Sequence, residues 1–186
     1  VPVLYDKHLR RIVNNESSEI IRMLNDAFSP WAKNDLDLYP EELRAEIDAM
    51  NLQTYEAVNN GVYKAGFAAS QDAYDAAVTT LFDTLDVLER HMIGRTYLVG
   101  NQLTEADLRL FTTLLRFDPV YVGHFKCNVR TLREYPNLLN LTRLIYGLPK
   151  VAETFDLQAT KEHYYGSHPG LNPSGVVPHG PARWLD

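Results

Sequence analysis

Between Ser70 and Gly94, apolar side chains recur at Tyr74, Ala77, Val78, Leu81, Phe82, Leu85, Leu88 and Met92. This spacing of three and four residues lays a single broad stripe along an α-helix. Ser70 supplies an N-cap oxygen, and Gly94 tolerates the left-handed conformation at which helices stop. A stripe this long is stable in water only when other helices cover it, so the chain must fold around a helical core.

The rest of the sequence supplies those helices. Pro40 at a first-turn position, followed by Glu41-Glu42, opens a helix with Leu43, Ile47, Met50, Tyr55 and Val58 on one face, expected to end near Asn59-Asn60-Gly61. The segment 97–103 leads to Thr104 and Asp107, a variant capping box. It opens a nearly all-apolar, and therefore central, helix carrying Leu110, Phe111, Leu114, Leu115 and Phe117, expected to stop before Pro119. Shorter helical patterns run from Thr131 to Tyr135 and from Leu138 to Tyr146, the second closed by Gly147 and Pro149. A last amphipathic stretch extends from Val151 to about Tyr165. Beyond Gly166 the Pro and Gly content predicts an irregular tail, laid over the surface or disordered.

The first residues follow a different rule. Val1-Pro2-Val3-Leu4, a turn at Asp6-Lys7, and Ile12-Val13 predict a β-hairpin, which runs through Asn14-Asn15-Glu16-Ser17-Ser18-Glu19 into a helix. The start of such a helix offers free N–H groups and a positive dipole end to a carboxylate. A two-stranded hairpin does not fold alone, so further strands and a helix are expected ahead of it. The polar segment 29–39 reads as a linker. The expected organisation is therefore mainly α: residues 1–38 close one unit, and 39–186 form a helical bundle with an irregular tail from about 166.

Several chemistries are disfavoured. A net charge of −6 argues against a nucleic-acid partner, which needs clustered Lys and Arg. The short, charge-interrupted apolar runs argue against a membrane span. With a single Cys the chain fits a reducing compartment, and cytoplasm is the expectation. The six His residues at 8, 91, 124, 163, 168 and 179 make no zinc-protease pair, so no metal is expected. No glycine-rich phosphate loop or serine-hydrolase elbow is present, so no nucleotide is expected either. Cys127 admits two readings: a nucleophile favoured by His124 and Lys126, or a buried structural thiol, the commoner fate of a free Cys. Tyrosine stands out, with eleven residues, of which Tyr63, Tyr121, Tyr164 and Tyr165 are expected in or beside irregular segments. Their hydroxyls could donate to a phenolic or quinone oxygen while the rings stack on an aromatic substrate, or they could simply be amphipathic packing.

A Val-Pro hairpin, a Glu-Ser turn into a helix, a linker and a helical domain with a Thr-x-x-Asp box together resemble the glutathione transferase fold. Four stretches carry the resemblance further: Asn59-Asn60-Gly61-Val62-Tyr63-Lys64-Ala65-Gly66-Phe67-Ala68, Leu103-Thr104-Glu105-Ala106-Asp107, Arg116 through Cys127, and His163-Tyr164-Tyr165-Gly166-Ser167-His168. They look like the glutathionyl-hydroquinone reductases, the Xi-class transferases. The resemblance implies a thioredoxin-like domain followed by a helical one, with glutathione as co-substrate. In that family a cysteine thiolate attacks the sulfur of a glutathionyl-hydroquinone, and a second glutathione resolves the mixed disulfide. Cys127 does not match that nucleophile, which is expected to lie outside this chain, leaving the chain alone inactive.

By the same resemblance, Val1-Pro2 is a cis-proline turn whose Val backbone pairs with the cysteinyl amide of glutathione. Glu16 accepts the γ-glutamyl ammonium and Ser17 holds the γ-glutamyl carboxylate, where ordinary helix capping is the other reading of both. Tyr63 and Tyr164, with Tyr121 as a third, serve the hydroquinone, and a homodimer through the helical domain is implied. Two other readings stay open: a non-catalytic helical module for association or ligand carriage, and a reductase using a different low-molecular-weight thiol.

Overall fold

The computed structural model describes residues 2–185. It opens with an antiparallel hairpin of β1 (Leu4–Asp6) and β2 (Arg11–Asn14), in the register Leu4↔Asn14, Tyr5↔Ile12 and Asp6↔Arg11, with a bulge between Leu4 and Tyr5. Asp6 shapes the turn, its Oδ1 accepting from the N–H groups of His8 and Leu9 at 2.8 Å each. The hairpin feeds α1 (Ser17–Asn25), which fully buries none of its residues. Tyr5, Ile12 and Val13 stay about half exposed on the hairpin.

Among the described residues, six α-helices follow, joined by short turns: α2 (Arg44–Thr54), α3 (Gly61–Gly66), α4 (Gln71–His91), α5 (Glu105–Arg116), α6 (Pro136–Tyr146) and α7 (Leu157–Ser167). The long stripe is core: Val78, Leu81, Phe82, Leu85 and Leu88 of α4 are buried, as is Met92 just beyond it. The Ser70 hydroxyl accepts from the Ala73 N–H at 3.2 Å, and Gly94 adopts φ +72° where the helix ends. α5 is central, packed against α2 and α6 with Ala106, Leu110 and Leu114 fully enclosed. Asp107 does more than cap it. One oxygen accepts from the N–H and hydroxyl of Thr104 at 2.9 Å each, and the other accepts from the Leu98 N–H at 2.7 Å. The box thereby ties the preceding loop to the helix start.

Three boundaries differ from the expectation. Asn59-Asn60-Gly61 does not end a helix: the backbone widens into a five-residue turn at Tyr55–Asn59, closed by Asn60 N–H to Tyr55 O at 2.8 Å, and continues into α3. Asn60 keeps right-handed angles, while the Asn59 amide reaches across to α5, donating to Arg109 O at 2.8 Å and Thr113 Oγ1 at 2.7 Å. A tertiary contact thus overrides a local stop signal. The path after α5 also runs through Pro119, in a second wide turn at Phe117–Tyr121. Pro119 has no N–H to return to the Leu115 carbonyl, and the Trp184 indole donates to that carbonyl at 3.0 Å instead. Finally, the stretch from Val151 is not one helix. A short turn at Ala152–Thr154 gives way to extended Phe155, and Asp156 caps a new helix by accepting from the Ala159 N–H at 2.9 Å.

The segment after α7 is irregular but docked. Lys161 donates to His179 O at 2.9 Å, Arg143 to Leu185 O at 2.5 Å, and Trp184 is buried against Phe155.

Candidate functional site

A cleft of about 710 Å³ lies between the start of α1 and the bundle. Ser17 and Ile21 line it from α1, Tyr63 from α3, and Tyr121 and Tyr164 from the far side. Tyr164 is the hub, its hydroxyl 2.7 Å from that of Tyr63 and 3.1 Å from that of Tyr121. The expectation that these tyrosines sit in or beside irregular segments is corrected here. Tyr63 is within α3, Tyr121 within the wide turn after α5, and Tyr164 within α7. Helical turns fix their directions more firmly than loops would. Phe125, fully buried, sits behind all three, its ring 5.2 Å from Tyr63, 5.5 Å from Tyr121 and 6.0 Å from Tyr164. Tyr165 points elsewhere, its ring 4.6 Å from His124.

Burial pushes the Tyr164 phenol up to about 12, and it raises Tyr121 as well, where the neighbouring Tyr164 and Tyr63 oxygens add to the effect. Three phenols joined by two hydrogen bonds hold three protons, so one hydroxyl proton remains for a ligand oxygen in the cleft.

At the other end Glu16 is the N-cap residue of α1, in extended conformation with φ −91° and ψ 117°. Its side chain makes no capping hydrogen bond; Asn14 Oδ1 instead accepts the Glu16 N–H at 2.7 Å. The Glu16 carboxylate and Ser17 hydroxyl are exposed and, among the described residues, make no hydrogen bond within the protein. Capping therefore does not account for them. Val1, expected beside them, lies outside the described residues, and Pro2 lines the cleft.

Cys127 is fully buried, its Sγ 3.9 Å from Val62 O, and burial pushes its thiol up to about 12 despite Lys126 next door. This is the environment of a structural thiol. Arg109, Thr112, Thr113 and Arg116 also line the cleft, and sequence reasoning passed over them. Their spacing of three, four and seven is the polar stripe of α5, opposite the apolar one that drew attention.

The sequence family described as "Glutathione S-transferase, C-terminal domain" matches residues 71–143. The glutathionyl-hydroquinone reductase PcpF of Sphingobium chlorophenolicum is 56% identical over all of this chain, which spans 59% of that protein. The crystal structure of the Xi glutathione transferase of Phanerochaete chrysosporium superposes with a TM-score of 0.96 at 57% identity, over 99% of this chain and 60% of its own. Glutathione-bound YqjG of Escherichia coli K-12 gives 0.97 at 52% identity, over 100% and 60%. Residues 71–143 thus match the C-terminal helical domain of the glutathione transferases. Over its whole length the chain is similar to Xi-class transferases and glutathionyl-hydroquinone reductases, while spanning about three fifths of the length of these relatives.

Proposed function

We propose that the protein carrying this chain reduces glutathionyl-hydroquinones to hydroquinones at the expense of glutathione. The observation that carries the reading is the tyrosine cluster, which opens on the same cleft as the unengaged start of α1. In this reading Glu16 accepts the γ-glutamyl ammonium, and Ser17 and the α1 N-terminus receive its carboxylate. Tyr63, Tyr164 and Tyr121 hold the hydroquinone oxygen through the spare proton.

A cysteine thiolate outside this chain attacks the glutathione sulfur; a disulfide forms, the carbon–sulfur bond breaks, and its electron pair takes a proton on the ring carbon. A second glutathione thiolate then attacks the mixed disulfide, releasing glutathione disulfide and the free enzyme thiolate. Residues 1–38 close the thioredoxin-like glutathione domain, whose remainder covers Tyr5, Ile12 and Val13, and residues 39–186 form the second domain. The protein works as a homodimer in a reducing compartment such as the cytoplasm, without metal or nucleotide.

Turnover of glutathionyl-menadiol by the full-length protein tests this. Tyr164→Phe removes the hub and is expected to lower kcat/KM by about 10-fold or more, and more than Tyr121→Phe does. Cys127→Ser is expected to leave turnover unchanged. Absence of turnover, or its loss on Cys127→Ser with the fold intact, overturns the reading.

A further inference from the structure

The charge of the cleft runs against that of the chain. In a sequence of net charge −6, the cleft is lined by two arginines and no carboxylate. The two differ in what they already serve. Arg109 lies 3.9 Å from Glu105, which Arg22 also holds at 2.8 Å, so its charge is partly met. Arg116 has no carboxylate within ion-pair distance among the described residues. Its one hydrogen bond recorded within the protein goes to the Thr112 carbonyl at 2.7 Å, and its Cζ lies 5.5 Å from the Phe155 ring centre. A guanidinium carries five N–H donors in a planar fork that matches a carboxylate, so donors remain free.

Arg116 also stands at a definite end of the cleft. It is seven residues beyond Arg109 on α5, about 10 Å along the axis. With Tyr164 it lines an adjoining groove that Ser17 does not reach. Asp156 in that groove is committed to the start of α7, where it accepts from the Ala159 N–H. Among the described residues, an unpaired cation beside the phenol cluster that also lines a groove Ser17 does not reach suits an anion borne by the aromatic part of a substrate.

We propose that Arg116 makes the tyrosine end of the cleft selective for aromatic groups carrying an anionic substituent, a ring carboxylate being the group that fits its fork. This rests on the reading of the cleft as a site for glutathione adducts, and it adds the substrate class that the tyrosines alone leave undefined.

The test compares two thioethers of nearly equal shape, S-(4-carboxybenzyl)glutathione and S-(4-carbamoylbenzyl)glutathione, by calorimetric titration of the full-length protein. The carboxylate is expected to bind about tenfold more tightly, as one charge-assisted fork allows. Arg116→Gln is expected to erase that preference while leaving the carbamoyl compound within about twofold, and Arg116→Lys to keep part of it. Equal affinity in the unaltered protein, survival of the preference in Arg116→Gln, or an equal loss for both compounds overturns the proposal. Equal affinity leaves the reductase reading standing, whereas failure of both thioethers to bind removes that reading and this inference together.

Discussion

A thiol attacks only as thiolate, and burial keeps Cys127 protonated far above neutral pH. In the native protein Cys127 should therefore resist iodoacetamide at pH 8 and be modified only at the rate of unfolding, as mass spectrometry would read; stoichiometric labelling of the folded protein would contradict this. The same burial makes a pH prediction. The folded thiol at about 12 holds its proton where the unfolded thiol, at 9.0, has lost it. Raising pH through that window favours the unfolded chain, so stability falls between about pH 9 and 12. Denaturant melts at pH 8 and 10.5 should show a smaller decline for Cys127→Ala than for the unaltered protein. Tyr164, raised from 10.0 to about 12, keeps its own share of the decline in both.

Elements, rather than single side chains, hold the tyrosines in register. The backbone of α3 rests directly on Phe125: a Cβ at Gly66 would lie 2.3 Å from the Phe125 Cγ, against 3.8 Å from Leu81 for one at Gly61. Gly66→Ala is therefore expected to cost about 1–3 kcal/mol by displacing the ring that backs the cluster. Gly61→Ala should be neutral or stabilise by up to about 1 kcal/mol. Paired thermal melts check this, and equal effects would refute the packing account. The helix starts at Ser70 and Thr104 are legible in the sequence because they are local, each needing only the next turn to act, whereas the break at Phe155 before the Asp156 cap is not. Helix ends at Asn60 and Pro119 were misread because partners distant in sequence decide them, Thr113 across from Asn59 and Trp184 across from Leu115. For the same reason the three tyrosines could be picked out as residues, but not their positions inside helical turns. Arg116 lay hidden on the polar stripe of a helix read for its apolar one.

Over the whole molecule, two distant pieces of chain are fastened to the bundle by polar contacts. The tail is held by the Trp184 indole on the Leu115 carbonyl, so Trp184→Phe, which keeps the ring but not the donor, should cost about 1–3 kcal/mol in chemical denaturation. The other fastening joins α1 to the bundle. Arg22 grips Glu105, which is only 1% exposed, with Nη2 at 2.8 Å and Nε at 3.2 Å, and it reaches Asp48 on α2 at 2.5 Å. Glu105 also accepts from the Asn51 amide at 2.8 Å, while its own N–H donates to Leu38 O at 2.8 Å. Removing the arginine leaves an enclosed carboxylate short of its strongest partner. Because Arg22 itself is 38% exposed and water can replace part of it, the expected cost of Arg22→Ala is about 2 kcal/mol, below that for a fully enclosed pair. The loss should be local. Since α1 buries none of its residues fully, amide exchange in α1 should accelerate while the α4 core keeps its protection. Adding Glu105→Gln to Arg22→Ala removes the stranded charge and should recover part of the stability; strictly additive losses in that double-mutant cycle would show that the two side chains are not coupled.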